Sequence, residues 1–256
     1  MRTRVYVDGL NLYYGALQGT AFKWLDPVKL STLLLPSACT VEKVLYFTAR
    51  VSGSTDRGAP ARQQVYLSAL GTLPEVEVCF GSFLAKTVWR PLVNLPVADR
   101  RIDTPEPVIL PAGEHKVVGP SVQTLPVGSY PVAGAEKKRR RKASAPSPDA
   151  VVAEFHTLEE KGSDVNLAAH LLNDAWRNHF EVAAVISNDT DLVTPIRMVT
   201  RERNKAVYLV CPRPGRAAPK LKEVASHLRH IRPAMLKKAQ LPDSLSGTPI
   251  SKPQGW

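Results

Sequence analysis

The stretch "VYVDGLNLYYG", residues 5–15, is decisive for the fold of this chain. Its apolar start, Val5 to Val7, is typical of a strand buried in a parallel sheet, since such strands are covered on both faces. The strand ends in Asp8, and Asn11 then opens a predicted helix. A carboxylate at this point is either the N-cap of that helix or part of a functional site completed by residues further along the chain.

Predicted strands alternate with predicted helices in two regions of the sequence. The predicted strands are 2–8, 42–51, 75–81, 181–188, 205–211 and a short last strand at 229–232. Helices of matching length lie between them, one of them with Asp26 as its N-cap and Pro27 in first position. This alternation predicts an α/β fold in which helices cover both faces of a parallel sheet. Ligands of such folds bind at the carboxyl ends of the strands.

A segment of different composition separates the two regions. Residues 85–153 contain ten of the 22 prolines and the basic run "EKKRRRK", residues 136–142. We predict a Pro-rich basic insertion, mobile over 134–149, in a discontinuous domain made of 1–84 and 154–232. Residues 233–256 are predicted to form a C-terminal tail.

Composition and charge narrow the class of protein. The hydrophobic fraction of 44% is ordinary for a globular chain, and no apolar run has the length of a membrane span. The three cysteines are far apart in sequence, which favours buried thiols in a reducing compartment, so we expect a cytoplasmic protein. The basic run supplies five of the eleven excess positive charges, so the rest of the chain is basic too. Excess positive charge favours polyanionic partners.

Three further aspartates occupy positions comparable to that of Asp8. Asp164 begins a predicted helix, and Asp189 and Asp191 follow a buried strand in "ISNDTDL", residues 186–192. Each of them alone is explained as a helix cap or as a first-turn acid. Together at one sheet edge, four carboxylates would repel one another unless a cation lay among them. Mg²⁺ or Mn²⁺ suits such an oxygen-ligand site.

Three motifs in this order resemble the NYN branch of the PIN-like nuclease superfamily. They are "VDGLNLYY", "KGSDVNLAAHLL" and "VISNDTDLVTPIRMV". The resemblance implies a three-layer PIN-like sheet and a ribonuclease that depends on Mg²⁺ or Mn²⁺, with RNA as its partner. It also implies that Asp8, Asp164, Asp189 and Asp191 bind the metal and that Asn11 assists them.

Substrate contacts are expected from residues around the same edge. Ser187 belongs to the third motif, and Lys161 is the first residue of the second. Arg50 lies at the end of the second predicted strand, Arg57 and Arg62 follow it, and all three are candidates for binding phosphates. As scattered surface cations they would need no explanation. Tyr13 and Tyr14 are candidates for stacking on a base or for packing the first helix on the sheet.

Alternative functions stay open at this point. The chain is either the nuclease, a non-catalytic NYN module that binds RNA or protein, or a different enzyme on the same fold. A phosphatase with an aspartyl nucleophile would want a second aspartate where Leu10 stands, and a dinucleotide-binding enzyme would want G-x-G-x-x-G after the first strand. A homo-oligomer, or a protein partner held by the insertion, is a further open question.

Overall fold

The computed structural model of the protein describes residues 1–51, 53, 56–91, 122–124, 151–213, 215 and 217–256. The chain divides into two compact units. The first consists of Met1–Phe83 and Glu160–Trp256, and the second of Leu84–Glu159. The stretch 134–149, for which mobility is predicted, lies outside the described residues.

A six-stranded parallel sheet forms the centre of the first unit. Its order is β3-β2-β1-β7-β8-β9, so the strand that ends in Asp8 is an inner one. The strands are β1 (Arg2–Asp8), β2 (Thr40–Thr48), β3 (Val76–Phe80), β7 (Val182–Ile186), β8 (Ala206–Cys211) and β9 (His227–His230). The pairs Val5↔Val44 and Val5↔Ala184 fix the register of β1 against its two neighbours. The predicted parallel α/β fold is confirmed.

Helices connect these strands, as the alternation predicts. They are α1 (Gly9–Leu12), α2 (Pro27–Leu34), α3 (Ala59–Leu70), α4 (Ser163–Trp176), α5 (Val193–Arg201), α6 (Pro219–Val224) and α7 (Pro233–Lys238). Asp26 caps α2 through hydrogen bonds from the Val28 and Lys29 amides. A π-helical turn, Tyr13–Leu17, continues α1, and a 3₁₀ turn, Thr190–Leu192, precedes α5. None of the helices in the described part of the chain is long and apolar enough to cross a membrane.

Hydrophobic side chains fill both faces of the sheet. Alternate residues of β1 point to opposite sides, so that Val5 and Val7 belong to one core cluster and Tyr6 to the other. The buried stripe of α4 includes Leu167, Leu171 and Ala175. Val165 and Trp176, whose helical spacing predicts that they share this stripe, are instead 71% and 43% exposed.

The segment predicted as a tail, residues 233–256, lies within the first unit. It contains α7, and the Trp24 indole donates to the carbonyl of Pro242 at 2.8 Å. The Trp256 ring contacts Trp24 and Tyr66, with centroids 6.5 and 5.8 Å away.

The second unit contains a three-stranded sheet in the order β4-β6-β5. Its strands are β4 (Ser82–Pro91), β5 (Val122–Thr124) and β6 (Val151–Lys161), and β5 pairs antiparallel with β6.

Candidate functional site

A cavity of about 360 Å³ lies at the carboxyl ends of the central strands. Its walls bring together residues from the three sequence motifs and from the loop after β8. They are Asp8, Leu10, Asn11, Tyr14, Gly15, Asp164, Asn188, Asp189 and Arg213. Parallel strands direct their carboxyl ends to one edge, which is why residues so distant in sequence meet here.

Asp8 is held at the end of β1 by two hydrogen bonds. The backbone amide of Asn11 donates to Oδ1 at 2.9 Å, and the Ser187 hydroxyl donates to Oδ2 at 2.9 Å. The first bond makes Asp8 the N-cap of α1, and its role in a functional site stays a prediction. The side chain is only 5% exposed. Burial, and then the nearby negative charge of Asp8, raises the pKa of the Tyr46 phenol above its usual range.

Hydrogen bonds tie the first motif to the third. The amide of Asp189 donates to the Ser187 hydroxyl at 3.1 Å, so this one hydroxyl bridges Asp8 and Asp189. The amide of Asn188 donates to the Asn11 side-chain carbonyl at 3.2 Å. The ends of β1 and β7 are therefore fixed relative to each other by side chains as well as by strand pairing.

Asp189 and Asp191 occupy different environments. Asp189 lines the cavity, and its Oδ1 accepts the amide of Asp191 at 2.9 Å as the cap of the 3₁₀ turn. Asp191 is exposed and is not among the described residues that line the cavity. Three of the four expected carboxylates thus share one cavity, and the fourth lies one turn away.

Asp164 reaches the cavity from the first turn of α4. The residue before that helix, Gly162, has a φ of +95°, a conformation that favours glycine. The Lys-Gly of the second motif therefore has a local structural reason, since the left-handed glycine turns the chain from β6 into α4.

The donors fit a hard divalent cation by their chemistry, because carboxylate and amide oxygens are what Mg²⁺ and Mn²⁺ prefer. Within the described residues, however, no three His, Cys, Asp or Glu side chains lie close enough to hold a metal ion together. Mg²⁺ is commonly bound through one or two carboxylates and several waters, so this spacing suits a largely hydrated ion better than a closed cage.

The residues expected to contact substrate are placed less uniformly. Ser187 is fully buried and its hydroxyl donates to Asp8, and its expected contact with substrate stays a prediction. Arg50 lies over the Phe80 ring, 4.9 Å from its centroid, and donates to Gln64 at 2.6 Å. Arg62 is paired with Asp56. None of these three lines the carboxylate cavity.

Lys161 and Arg57 are likewise not among the described residues that line the carboxylate cavity. Lys161 is exposed just before α4, and Arg57 is exposed just before α3. Their expected contacts with substrate stay predictions.

Arg213 is a cavity residue that the sequence analysis missed. It follows β8 at the same edge, and within the described part of the chain its guanidinium makes no ion pair. Gly15 lies so close to this loop that a Cβ on it would be 2.6 Å from Cβ of Pro212. The available signal was its position after a buried strand, the same signal that marked Asp8 and Asp189.

A second cavity, of about 400 Å³, adjoins the first and shares Leu10 and Tyr14 with it. Five of its lining residues are aromatic, Tyr13, Tyr14, Tyr46, Tyr66 and Trp256, and we call it the aromatic cavity. Its charged lining residues are Lys23, Arg62 and Asp56, and the last two are paired with each other.

The family comparison agrees with the motifs. The sequence model of the NYN domain matches residues 139–232, which contain Asp164, Asp189 and Asp191. The resemblance to the NYN domain family is confirmed. The NYN domain belongs to a nuclease-like superfamily that generally uses divalent metal ions.

Two further proteins are similar to this chain. One is "6-hydroxy-3-succinoylpyridine 3-monooxygenase HspA" of Pseudomonas putida, 27% identical over 280 residues, covering 100% of this chain and 75% of that protein. The other is the crystal structure of a protein of unknown function from Vibrio parahaemolyticus. It is 13% identical with a TM-score of 0.46 and covers 91% of this chain and 93% of that one.

Proposed function

We propose that this NYN protein is a divalent-metal-dependent ribonuclease that hydrolyses phosphodiester bonds in the carboxylate cavity. The observation that carries the proposal is the meeting of Asp8, Asp164 and Asp189 in one cavity at the sheet edge. Three carboxylates in so small a space disfavour an anionic substrate unless a cation neutralises them. The NYN match supplies the nuclease class and suggests RNA.

One or two of Asp8, Asp164 and Asp189 would bind the ion directly and the rest through its waters, with Asp191 as a further carboxylate from the adjoining turn. A bound divalent ion supplies an activated water and neutralises charge on the phosphate. The Ser187 hydroxyl fixes Asp8 and Asp189 relative to each other. These two residues therefore need little reorganisation during the reaction. Arg213, which lines the same cavity, would bind a phosphate oxygen.

Incubation of the protein with a mixed RNA pool tests the proposal. We expect cleavage with Mg²⁺ or Mn²⁺ and none with chelator. The substitution Asp8→Asn should reduce the rate more than about 100-fold because it removes a metal-binding charge while keeping the shape of the side chain. RNA binding should survive, since the site then carries less negative charge.

Asp26→Asn is the matched control. Asp26 is also a buried aspartate that caps a helix, and it lies outside the carboxylate cavity. Asparagine caps about as well as aspartate, so this variant should cleave normally. Full RNA cleavage by Asp8→Asn would show that Asp8 serves only as a helix cap, and it would refute the proposed metal site. Binding without cleavage under every metal condition would favour the non-catalytic module.

A second candidate comes from the relative that covers the whole of this chain. Its printed name describes a monooxygenase acting on 6-hydroxy-3-succinoylpyridine. The aromatic cavity beside the carboxylates has room for a pyridine ring. Incubation of the protein with that compound, O₂ and a reductant checks this candidate. Its consumption, with RNA left intact, would replace the nuclease proposal.

A further inference from the structure

The aromatic cavity lies beside the carboxylate cavity. Leu10 and Tyr14 line both of them and form the ridge between a polar space and an aromatic one. Gly9, the residue before Leu10, lies against the Tyr46 ring, since a Cβ on it would come within 2.7 Å of Tyr46 Cε1. A ligand longer than the carboxylate cavity therefore has the aromatic cavity as its neighbour.

A cluster of fixed rings forms one side of this cavity. Tyr46 and Tyr66 meet edge to face with centroids 6.2 Å apart, and Tyr66 lies 5.8 Å from Trp256. The Tyr66 hydroxyl donates to the carbonyl of Leu25 at 2.9 Å, which fixes its orientation. Tyr46 and Tyr66 are both buried, so this wall exists before any ligand arrives.

Tyr14 forms the ridge and differs from these rings in being 55% exposed. Its ring contacts Tyr13 edge to face at 5.2 Å, while Tyr13 packs against the core. Both belong to the π-helical turn Tyr13–Leu17, and such turns frequently occur at functional sites. A large exposed ring between two cavities offers a face for stacking.

The charge of the aromatic cavity suits an anion attached to an aromatic ring. Lys23 is half-buried in its lining, and within the described residues its ammonium makes no ion pair. Arg62 lines the same space, although its guanidinium is already paired with Asp56. A nucleotide combines a planar base with a phosphate. The aromatic rings suit the base, and the ammonium of Lys23 suits the phosphate.

We propose that the aromatic cavity binds one base of an RNA strand, with Tyr14 stacked on that base and Lys23 at the adjoining phosphate. The inference rests on the proposed function, because it makes this base the neighbour of the bond to be cleaved. Tyr14 is then a specificity-determining residue, because its stacking favours ligands that have a base beside the carboxylate cavity.

Nucleotide binding tests this inference without requiring cleavage. The probes are the four ribonucleoside 5′-monophosphates, with ribose 5-phosphate as the baseless comparison, titrated by NMR in the presence of chelator. We expect at least one nucleotide to bind about tenfold or more tightly than ribose 5-phosphate. Tyr14→Ala should weaken that binding about 5- to 100-fold, and Tyr14→Phe should retain it because the ring remains.

Trp176→Ala is the matched control, because Trp176 is also an exposed aromatic residue but lies at the opposite end of α4 from Asp164. It should leave nucleotide binding unchanged. N-acetyl-tryptophanamide serves as a second probe, and its binding as tightly as the nucleotides would indicate a partner protein's side chain and overturn the inference. Equal affinity for nucleotides and ribose 5-phosphate, or no effect of Tyr14→Ala, would also overturn it.

The two proposals can fail separately. Nucleotide binding that depends on Tyr14, with RNA left uncut, would refute the nuclease and leave the base pocket. RNA cleavage that is indifferent to Tyr14, with no preference for a nucleotide over its sugar phosphate, would refute the pocket and leave the nuclease.

Discussion

Asp8 serves the fold and the candidate site with different oxygens of the same carboxylate. Oδ1 caps α1, and Oδ2 accepts the Ser187 hydroxyl. A cap explains why a short polar residue ends the strand, yet it does not explain why Asp164 and Asp189 line the same cavity. For a single residue such as Asp8, a role as a helix cap is therefore compatible with a role in the candidate site.

Ser187→Ala should lower both stability and activity. The hydroxyl is fully buried, and its loss leaves the Asp189 amide without its acceptor, at a cost of about 1–3 kcal/mol. Because Asp8 and Asp189 lose their common anchor, we expect RNA cleavage to fall about tenfold in kcat with KM little changed. Thermal unfolding and steady-state kinetics measure the two effects.

Ser31→Ala is the control for that variant. Ser31 is also a buried serine, and its hydroxyl donates to the Pro27 carbonyl within α2. It should reduce the melting temperature without changing kcat. Equal kinetic losses in the two variants would show that Ser187 acts through general stability alone.

Asp174 should control the acid side of the stability profile. Burial tends to raise the pKa of this carboxyl, but hydrogen bonds from Tyr6, Arg4 and His179 outweigh it and hold the pKa below its usual range. The Tyr6 hydroxyl lies at 2.7 Å and Arg4 Nη1 at 2.8 Å. A lowered folded pKa gives stability that is present above about pH 3.9 and is lost as the pH falls through the folded pKa.

Asp174→Asn should therefore destabilise the protein at neutral pH by roughly 3 kcal/mol, because it leaves Arg4 without its buried partner. The decline of the melting temperature below pH 4 should become shallower than in the unsubstituted protein. Asp243→Asn, at an exposed aspartate, should change neither quantity. If the melting temperature of Asp174→Asn declined below pH 4 as steeply as that of the unsubstituted protein, this role of Asp174 would be contradicted.

At the scale of elements, the sequence predicts those parts of the fold that local chemistry decides. The alternation of predicted strands and helices identified the parallel sheet, and the Asp-Pro pair identified the start of α2. The π-helical turn and the exposure of Val165 were not predictable, because both depend on what packs against the helix. Arg213 was not predicted as a site residue, because the loop that contains it follows an ordinary Cys-Pro pair and has no acidic residue.

Gly15→Ala should disturb this element-level packing. A methyl group there would lie 2.6 Å from Pro212 Cβ, and relief of the overlap must move the loop that carries Arg213. We expect about 1–3 kcal/mol of destabilisation and a raised KM for RNA. At Gly71, the residue after α3, the nearest atom would be 3.4 Å away, so Gly71→Ala should be close to neutral in both assays. Similar outcomes for the two glycines would exclude a specific contact with Pro212.

For the whole molecule, the basic run at residues 136–142 lies outside the described residues, and its contribution to RNA binding stays a prediction. Each cation on a phosphate releases counterions, so replacing this run with neutral residues of equal length should weaken binding. The slope of log Kd against log salt should shrink by up to about four if all six cations contact single-stranded RNA. Unchanged affinity and slope would leave the run a solubilising segment.

The order of the central sheet carries one more consequence for the whole chain. Met1–Phe83 supplies three adjacent strands and Asp8, while Glu160–Trp256 supplies the other three strands with Asp164 and Asp189. The pairing of β1 with β7 joins the two halves of the sheet. Two separately expressed polypeptides, divided between β4 and β6, would carry Asp8 on one piece and Asp164 and Asp189 on the other, so the proposed RNA cleavage would report their reassembly. The protein is in this respect a natural candidate for fragment complementation.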